Sequence, residues 1–417
     1  MNKPLIIYNL FPRLLGKVEN WIKFIPHIRN MKFNWIYVNP FHYPGFSGSL
    51  YAPKDYYDFN PMFAPRGKEG VKLIKKFIKE CDKKNIDVMM DLVINHSASD
   101  CILVEQHPDW YKREADGSLV HPYCVDPADT NKKTVWGDLA EFNNNPDAPC
   151  RKELWEYWLN LVKYYAKLGF KGFRADAAYK VPEELWAYII SETKKEFSNV
   201  IFFAETLGAE EKDLERVVKA GFDYVTNSSK WWDFKASWCI EQYFAFRKYA
   251  PSVSFPETHD TERLFKETNG NLNAQKMKYA FSAFFSAGVM MPIGYEWGFM
   301  KKLDVVKMTT NDFEEKHIDI SDFIKEVNNL KIKEKIFHYD SDMKIYDFAD
   351  EFFIMKKSIE NNAVICVFNK DVQNNKELSL TMIEEKTGHK IIKKIFPKEI
   401  IKENIYSPGE ARIYKIK

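Results

Sequence analysis

No two cysteines in this 417-residue chain stand at CxxC spacing. Cys81, Cys101, Cys124, Cys150, Cys239 and Cys366 are scattered, a pattern that neither forms a metal knot nor requires disulfides. Long hydrophobic runs are missing too: nothing approaches the ~20 apolar residues that span a bilayer. The short run Leu5-Ile6-Ile7-Tyr8 is soon followed by Arg13, without the longer apolar core and small-residue cleavage site of a secretory leader. Neither sign of charge is in excess, with 61 basic and 59 acidic side chains and a formal net charge of +2. That balance argues against the concentrated basic surface of a nucleic-acid binder, and the lysines between Lys72 and Lys79 read as the wet face of a helix. Neither internal repeats nor a low-complexity linker appears. The expectation is a chain of a reducing cytoplasm with no nucleic-acid or membrane partner; its oligomeric state is not legible.

What is present is an ordinary globular composition, 45% hydrophobic and 29% charged, enough to bury a large core and stay dissolved. Short β-branched or aromatic runs alternate with helical patterns. Strands are expected at Ile6–Tyr8, Trp35–Val38, Asp87–Asp91, Phe170–Arg174, Val200–Ala204, Phe222–Val225, Ser252–Phe255 and Val289–Ile293. Between them Val71, Leu73, Ile74, Phe77, Ile78 and Cys81 recur at helical spacing, as do Trp21–Met31, Glu153–Lys167, Lys212–Lys219 and Asn273–Ala287, and Pro182 opens a helix as a first-turn proline. Repeated βα units imply parallel strands with right-handed crossovers, and eight of them close into a (β/α)8 TIM barrel; an open doubly wound sheet is the rival. The α/β barrel is expected over 1–96 and 151–336. Residues 97–150, rich in Pro, Asp, Asn and Gly, are too long for an ordinary βα loop and read as a small subdomain inserted after the third strand. Alternating runs from 337 to 417, such as Ala363–Val367 and Arg412–Tyr414, predict a C-terminal antiparallel β domain, a sandwich.

Active sites of such barrels lie at the C-terminal ends of the strands, and charged or polar residues follow the apolar runs there. Asp91 and His96 bracket the end of the third strand in Asp91-Leu92-Val93-Ile94-Asn95-His96. Arg174 and Asp176 end the fourth in Gly172-Phe173-Arg174-Ala175-Asp176. Glu205 ends the fifth, and His259-Asp260 the seventh. Any one of these is also what a cap or loop residue looks like; matching strand ends throughout are not. Alternate strand residues share a face, so Arg174 and Asp176 both aim into the barrel mouth, where the arginine favours an ionised, nucleophilic carboxylate. A general acid needs the reverse, a Glu desolvated and surrounded by carboxylates. Asp176 and Glu205 on adjacent strands match the close carboxylate pair of a retaining glycosidase.

These motifs, in order, resemble those of the α-amylase family, glycoside hydrolase family 13. Asp91–His96 is similar to its DxxxNH stretch, Gly172–Asp176 to GFRxD, Ala204-Glu205 to the acid/base strand and His259-Asp260 to the terminal HD. Gly48–Tyr56 is similar to the loop whose tyrosine, here Tyr51, stacks on the sugar. The resemblance implies Asp176 as nucleophile, Glu205 as acid and then base, and Asp260 as transition-state stabiliser. It implies Tyr51, His96, Arg174, His259 and Arg263 as substrate contacts. The 11 Trp and 22 Tyr fit a sugar-stacking cleft. Tyr179 and Lys180 stand where the family often has Lys-His, and Thr258 where Asn is common. Lys180 is left to contact an acceptor sugar, to hold a phosphate, or to cap its loop. Asn95 matches a family calcium ligand, with Asp138 as a second; no cofactor is required, with calcium as an option. Tyr295-Glu296-Trp297 and Trp231-Trp232 either line the cleft or wedge loops against the barrel. The activity implied is a retaining α-glycosidase or transglycosidase on α-linked glucans or maltooligosaccharides. The alternatives are a transferase using a glycosyl-phosphate or sucrose-like donor, and an inactive amylase-like binding protein.

Overall fold

The computed structural model describes residues 3–126, 129–347, 351–399 and 402–417; positions 1–2, 127–128, 348–350 and 400–401, which fall inside the segments expected above, lie outside the described residues. Eight parallel strands close a barrel: β1 (Leu5–Leu10), β2 (Trp35–Val38), β3 (Asp87–Leu92), β4 (Gly172–Ala175), β5 (Ile201–Ala204), β6 (Tyr224–Thr226), β7 (Ser252–Ser254) and β8 (Gly288–Pro292), each paired with its sequence neighbour and β8 with β1. A helix returns the chain after each: α1 (Val18–Asn30), α2 (Gly67–Asp82), α3 (Arg151–Leu168), α4 (Glu183–Glu196), α5 (Glu211–Lys219), α6 (Trp238–Phe246), α7 (Leu272–Phe285) and α8 (Ser321–Lys333). The open-sheet alternative is thereby excluded. No described helix is long and apolar enough to cross a membrane.

Two apolar layers follow from strand periodicity. Leu5, Ile7, Trp35, Tyr37, Met89, Phe203, Val253, Phe255 and Met290 fill the barrel interior, while alternate residues such as Ile6, Ile36, Val88, Phe173 and Phe202 pack outward under the helices. Gly172 keeps this interior from overfilling, since a Cβ there would stand 2.9 Å from the Trp35 ring and 3.0 Å from Met89. A glycine in β4 thus leaves room for a tryptophan in the lowest layer.

After β3 the chain makes a short strand, His96–Ala98, pairing antiparallel with Leu139–Glu141, and a hairpin of Tyr123–Asp126 with Asp129–Val135. Asn144 secures the return, donating to the Ile94 carbonyl at 2.8 Å and accepting from Trp158 Nε1 at 3.0 Å.

The C-terminal segment forms one antiparallel sheet from β9 (Asp342–Asp347), β10 (Phe352–Ile359), β11 (Asn362–Asn369), β12 (Ile391–Phe396) and β13 (Ala411–Ile416), in the order β9-β10-β11-β13-β12. Phe353, Met355, Val364, Cys366 and Phe368 join the barrel's outer core, where Phe353 and Phe368 meet Phe281 of α7. The opposite face, Phe352, Ile354, Ile365, Val367 and Tyr414, packs with Leu378, Ile383 and Tyr406. Its cover is a helix, α9 (Leu380–Thr387), and a two-stranded ribbon of Lys376–Glu377 with Ile405–Tyr406, in place of the second full sheet a sandwich would supply. The sequence alternation reports a sheet with two buried faces but not what lies over each. Lys357, buried on the barrel-facing side of β10, donates to the Phe285 carbonyl at 2.7 Å and Phe284 at 3.3 Å. It so caps the C-terminal end of α7, where a cation is favoured.

Candidate active site

Three strand ends meet at the barrel mouth. Register places Arg174 of β4 beside Asp91 of β3 and Phe203 of β5, so the arginine and Asp91 share the inward face. Arg174 Nη1 lies 3.0 and 3.1 Å from the two Asp91 oxygens and 2.6 Å from Asp176 Oδ1, and Nη2 lies 4.0 Å from Glu205 Oε2. One buried guanidinium therefore serves the carboxylates of three strands. Asp91, with no exposed surface, is further satisfied by the hydroxyls of Tyr37 at 2.5 Å and Tyr51 at 2.7 Å. Burial raises both phenols well above their ordinary value, so they act as donors here.

Tyr51 joins the two sides of the mouth. Its hydroxyl also meets Asn39 Nδ2 at 3.0 Å and His259 Nε2 at 2.7 Å, its ring stacks parallel to that of His259, and its carbonyl lies 3.1 Å from His96 Nε2. Burial lowers the pKa of both histidines, leaving them neutral groups suited to sugar hydroxyls rather than to anions. His259 Nε2 is also 3.1 Å from Asp260 Oδ2, whose side chain is 61% exposed, as a group that waits for a substrate would be.

Glu205 sits deeper. Its two oxygens accept the backbone N–H groups of Ala177 at 2.9 Å and Leu207 at 2.8 Å, and Ala177 takes up the left-handed region, at φ 40°, to do so. Burial raises this carboxyl from 4.5 to about 7, with Asp176 and Asp260 adding to the rise against Arg174 and the Leu207 amide. An acid still protonated near neutrality is what leaving-group protonation requires.

The structure thus gathers Tyr51, His96, Arg174, Asp176, Glu205, His259 and Asp260 around one opening. Lys180 stands exposed beside it, its ammonium 5.6 Å from the Tyr179 ring.

Arg263, expected as a substrate contact, is turned away from the cleft. It is 1% exposed; Nε donates to the Lys301 carbonyl at 3.1 Å, Nη1 to Glu257 at 2.7 Å and Nη2 to the Ile293 carbonyl at 2.9 Å. Glu257, equally buried, also accepts the Leu264 N–H at 2.6 Å. Three residues beyond Asp260 the chain has turned into the short helix Leu264–Glu267, so the side chain ties the loop after β7 to that after β8. Replacing Arg263 by Met strands a buried carboxylate, an expected loss of about 3–5 kcal/mol, whereas the double replacement of Glu257 and Arg263 by Met loses less; chemical denaturation measures both.

Asn95 is nearly buried, with Nδ2 3.5 Å from His96 Nδ1. Among the described residues no group of three or more His, Cys, Asp or Glu side chains is assembled that could hold a metal. Tyr295, Glu296 and Trp297 are buried. Glu296 binds the Tyr8 hydroxyl at 2.7 Å and His27 at 2.9 Å. That triplet wedges loops and does not line the cleft. Tyr37, Asn39 and Glu257 were not anticipated as supports. For the first two a signal existed, the alternation that makes Trp35, Tyr37 and Asn39 share the inward face; for Glu257 there was none.

Barrel and C-terminal sheet thus carry a mouth in which one buried guanidinium faces carboxylates from three strands. A model of the glycogen debranching enzyme glucanotransferase domain matches residues 2–117. The chain is 27% identical over 232 residues to an alpha-1,4-glucan:maltose-1-phosphate maltosyltransferase from Picrophilus torridus, covering 52% of this chain and 35% of that protein. It is 24% identical over 254 residues to the enzyme of the same name from Burkholderia pseudomallei, covering 58% and 22%. It therefore spans about a third or less of the length of these relatives. In fold it is similar to an alpha-amylase from Lactobacillus plantarum (TM-score 0.77, 18% identity, 99% and 98% of the two chains). The maltogenic alpha-amylase AmyB from Thermotoga neapolitana is likewise similar (TM-score 0.75, 23% identity, 100% and 97%). The chain is thus similar in its first 117 residues to a glucanotransferase domain and in fold to alpha-amylases.

Proposed function

We propose that this chain is a retaining α-glucan glycosidase or transglycosidase. The observation that carries this reading is Arg174, held against Asp91 and Asp176 and 4.0 Å from a Glu205 whose pKa is raised to about 7. Asp176 attacks the anomeric carbon while Glu205 gives its proton to the departing glycosidic oxygen, so one C–O bond breaks as an ester C–O bond forms. Glu205, now a carboxylate, takes the proton of an incoming hydroxyl, which displaces Asp176 with overall retention. Asp260 balances the positive charge that develops on the ring. The presence of all these acids argues against an inactive binding protein.

A second reading, a glycosyl-phosphate donor, is favoured by the relatives' activity. Phosphate leaves with less help from an acid, and the exposed Lys180 ammonium stands at the same mouth. The steps balance on protein groups, so no cofactor is required. Six free thiols support a reducing compartment, the cytoplasm, and the substrate partner is an α-glucan or oligosaccharide.

Incubation with maltooligosaccharides, α-maltose 1-phosphate and sucrose, with products resolved by chromatography and anomers by NMR, tests this. α-Configured shorter or longer glucans are expected, at a rate that dialysis against EDTA does not change. Initial β-anomers, or silence across the whole panel, would refute it.

A further inference from the structure

We infer that Trp231 is the acceptor-side stacking platform of this site, and that it sets how the glycosyl-enzyme is shared between sugar hydroxyls and water. The inference rests on the retaining reading above and adds what decides its outcome.

The tryptophan pair after β6 is split by the fold. Trp232 is fully buried, with Nε1 on the Ala236 carbonyl at 2.7 Å; Trp231 is 52% exposed. The loop that carries it is pinned on every side. Asn227 Nδ2 reaches Ser252, Ser254 and Ser286 at 2.9–3.1 Å, and its Oδ1 accepts the Ser229 N–H at 3.1 Å. The buried Lys230 is held by both oxygens of Glu267 at 3.0 and 2.8 Å, and Lys278 donates to the Trp232 carbonyl at 2.7 Å. A single exposed apolar side chain needs no explanation by itself. An indole presented by a loop so fixed has already met the ordering cost that binding would otherwise impose.

Position then says which sugar it meets. Trp231 stands perpendicular to the Phe255 ring at 6.3 Å. Phe255 belongs to the barrel interior together with Phe203, and Leu207 packs on that same cluster while its N–H holds Glu205. The indole therefore lies over the mouth, on the Glu205 side. In barrel order β6 lies between β5, which carries Glu205, and β7, which leads to Asp260; it faces β2 across the barrel. Of the groups suited to the donor glucose, Tyr51 and His96 come from the β2 and β3 side. Glu205 touches the leaving oxygen and then the acceptor hydroxyl, so the sugar beside Glu205 is the acceptor. An aromatic face there binds the apolar side of a pyranose and raises its occupancy over water.

The test uses the full chain with α-maltosyl fluoride as donor, whose leaving group does not fill the acceptor place, and added maltose as acceptor. It reads total donor cleavage, the ratio of transfer to hydrolysis, and the melting temperature. For Trp231→Ala the ratio is expected to fall roughly three- to tenfold, the range of an aromatic contact, at an unchanged melting temperature. Trp231→Phe, which keeps a ring, is expected to retain most of the ratio. An unaltered ratio in Trp231→Ala overturns the inference. So does a parallel loss of fluoride release in the absence of maltose, at unchanged melting temperature, which would put the ring on the donor side. If the parent cleaves no donor, the retaining reading itself has failed, an outcome distinct from both.

Discussion

Asp176→Ala is expected to lower turnover by roughly 10⁴-fold or more, as removing a group that forms a covalent bond with substrate does elsewhere, an increase in barrier of about 5 kcal/mol. The fold should survive, because Arg174 keeps both oxygens of Asp91 and is not left as an uncompensated buried charge. Calorimetry or circular dichroism checks that point alongside the kinetics. The variant also opens a space on the face from which Asp176 attacked. Azide entering there would displace the leaving group in one step, giving a β-glycosyl azide from an α-linked donor. More than a trace of unassisted activity in a folded Asp176→Ala protein, on a proven substrate, removes it from the nucleophile's role.

Glu205→Gln is expected to cost about 10²–10⁴-fold on natural glucans and far less on an α-glycosyl fluoride, whose leaving group needs no proton in the first step. The pH profile carries the sharper signature. With the carboxyl raised to about 7 by burial, parent activity should fall as pH rises through 7, because the acid loses its proton. The Gln variant should lack that limb.

Stability moves with it. A carboxyl whose folded pKa lies above its unfolded value of 4.5 binds more protons in the folded state between those values. Parent stability is therefore lost as pH climbs from about 4.5 to 7. Glutamine does not titrate, so the melting temperature of the variant should gain on the parent's between pH 4 and pH 8. A constant difference across that range would show that Glu205 is not held protonated.

The order of βα units was legible because period-2 and period-3.6 patterns are local, and eight of them leave few ways to close. Asp176, Glu205 and the His259-Asp260 pair were legible for a related reason: each follows an apolar run at a strand's C-terminal end, so counting along the strand places it at the mouth. Arg263 was misplaced because the same counting stops where the backbone turns. Three residues past Asp260 the chain has entered a helix, and the side chain points inward to Glu257. The Trp231-Trp232 pair shows the limit from the other side. Two identical residues in succession have opposite burial, and nothing in the sequence ranks them.

Sequence alone determined the barrel, its C-terminal sheet and the charged residues that stand at the barrel mouth, since periodicity and strand ends are properties of neighbours along the chain. Tertiary structure alone decided which charges share Arg174, how deeply Glu205 is desolvated, where Arg263 turns and which tryptophan meets solvent. Those depend on distances between strands far apart in sequence, and on how much water their packing leaves.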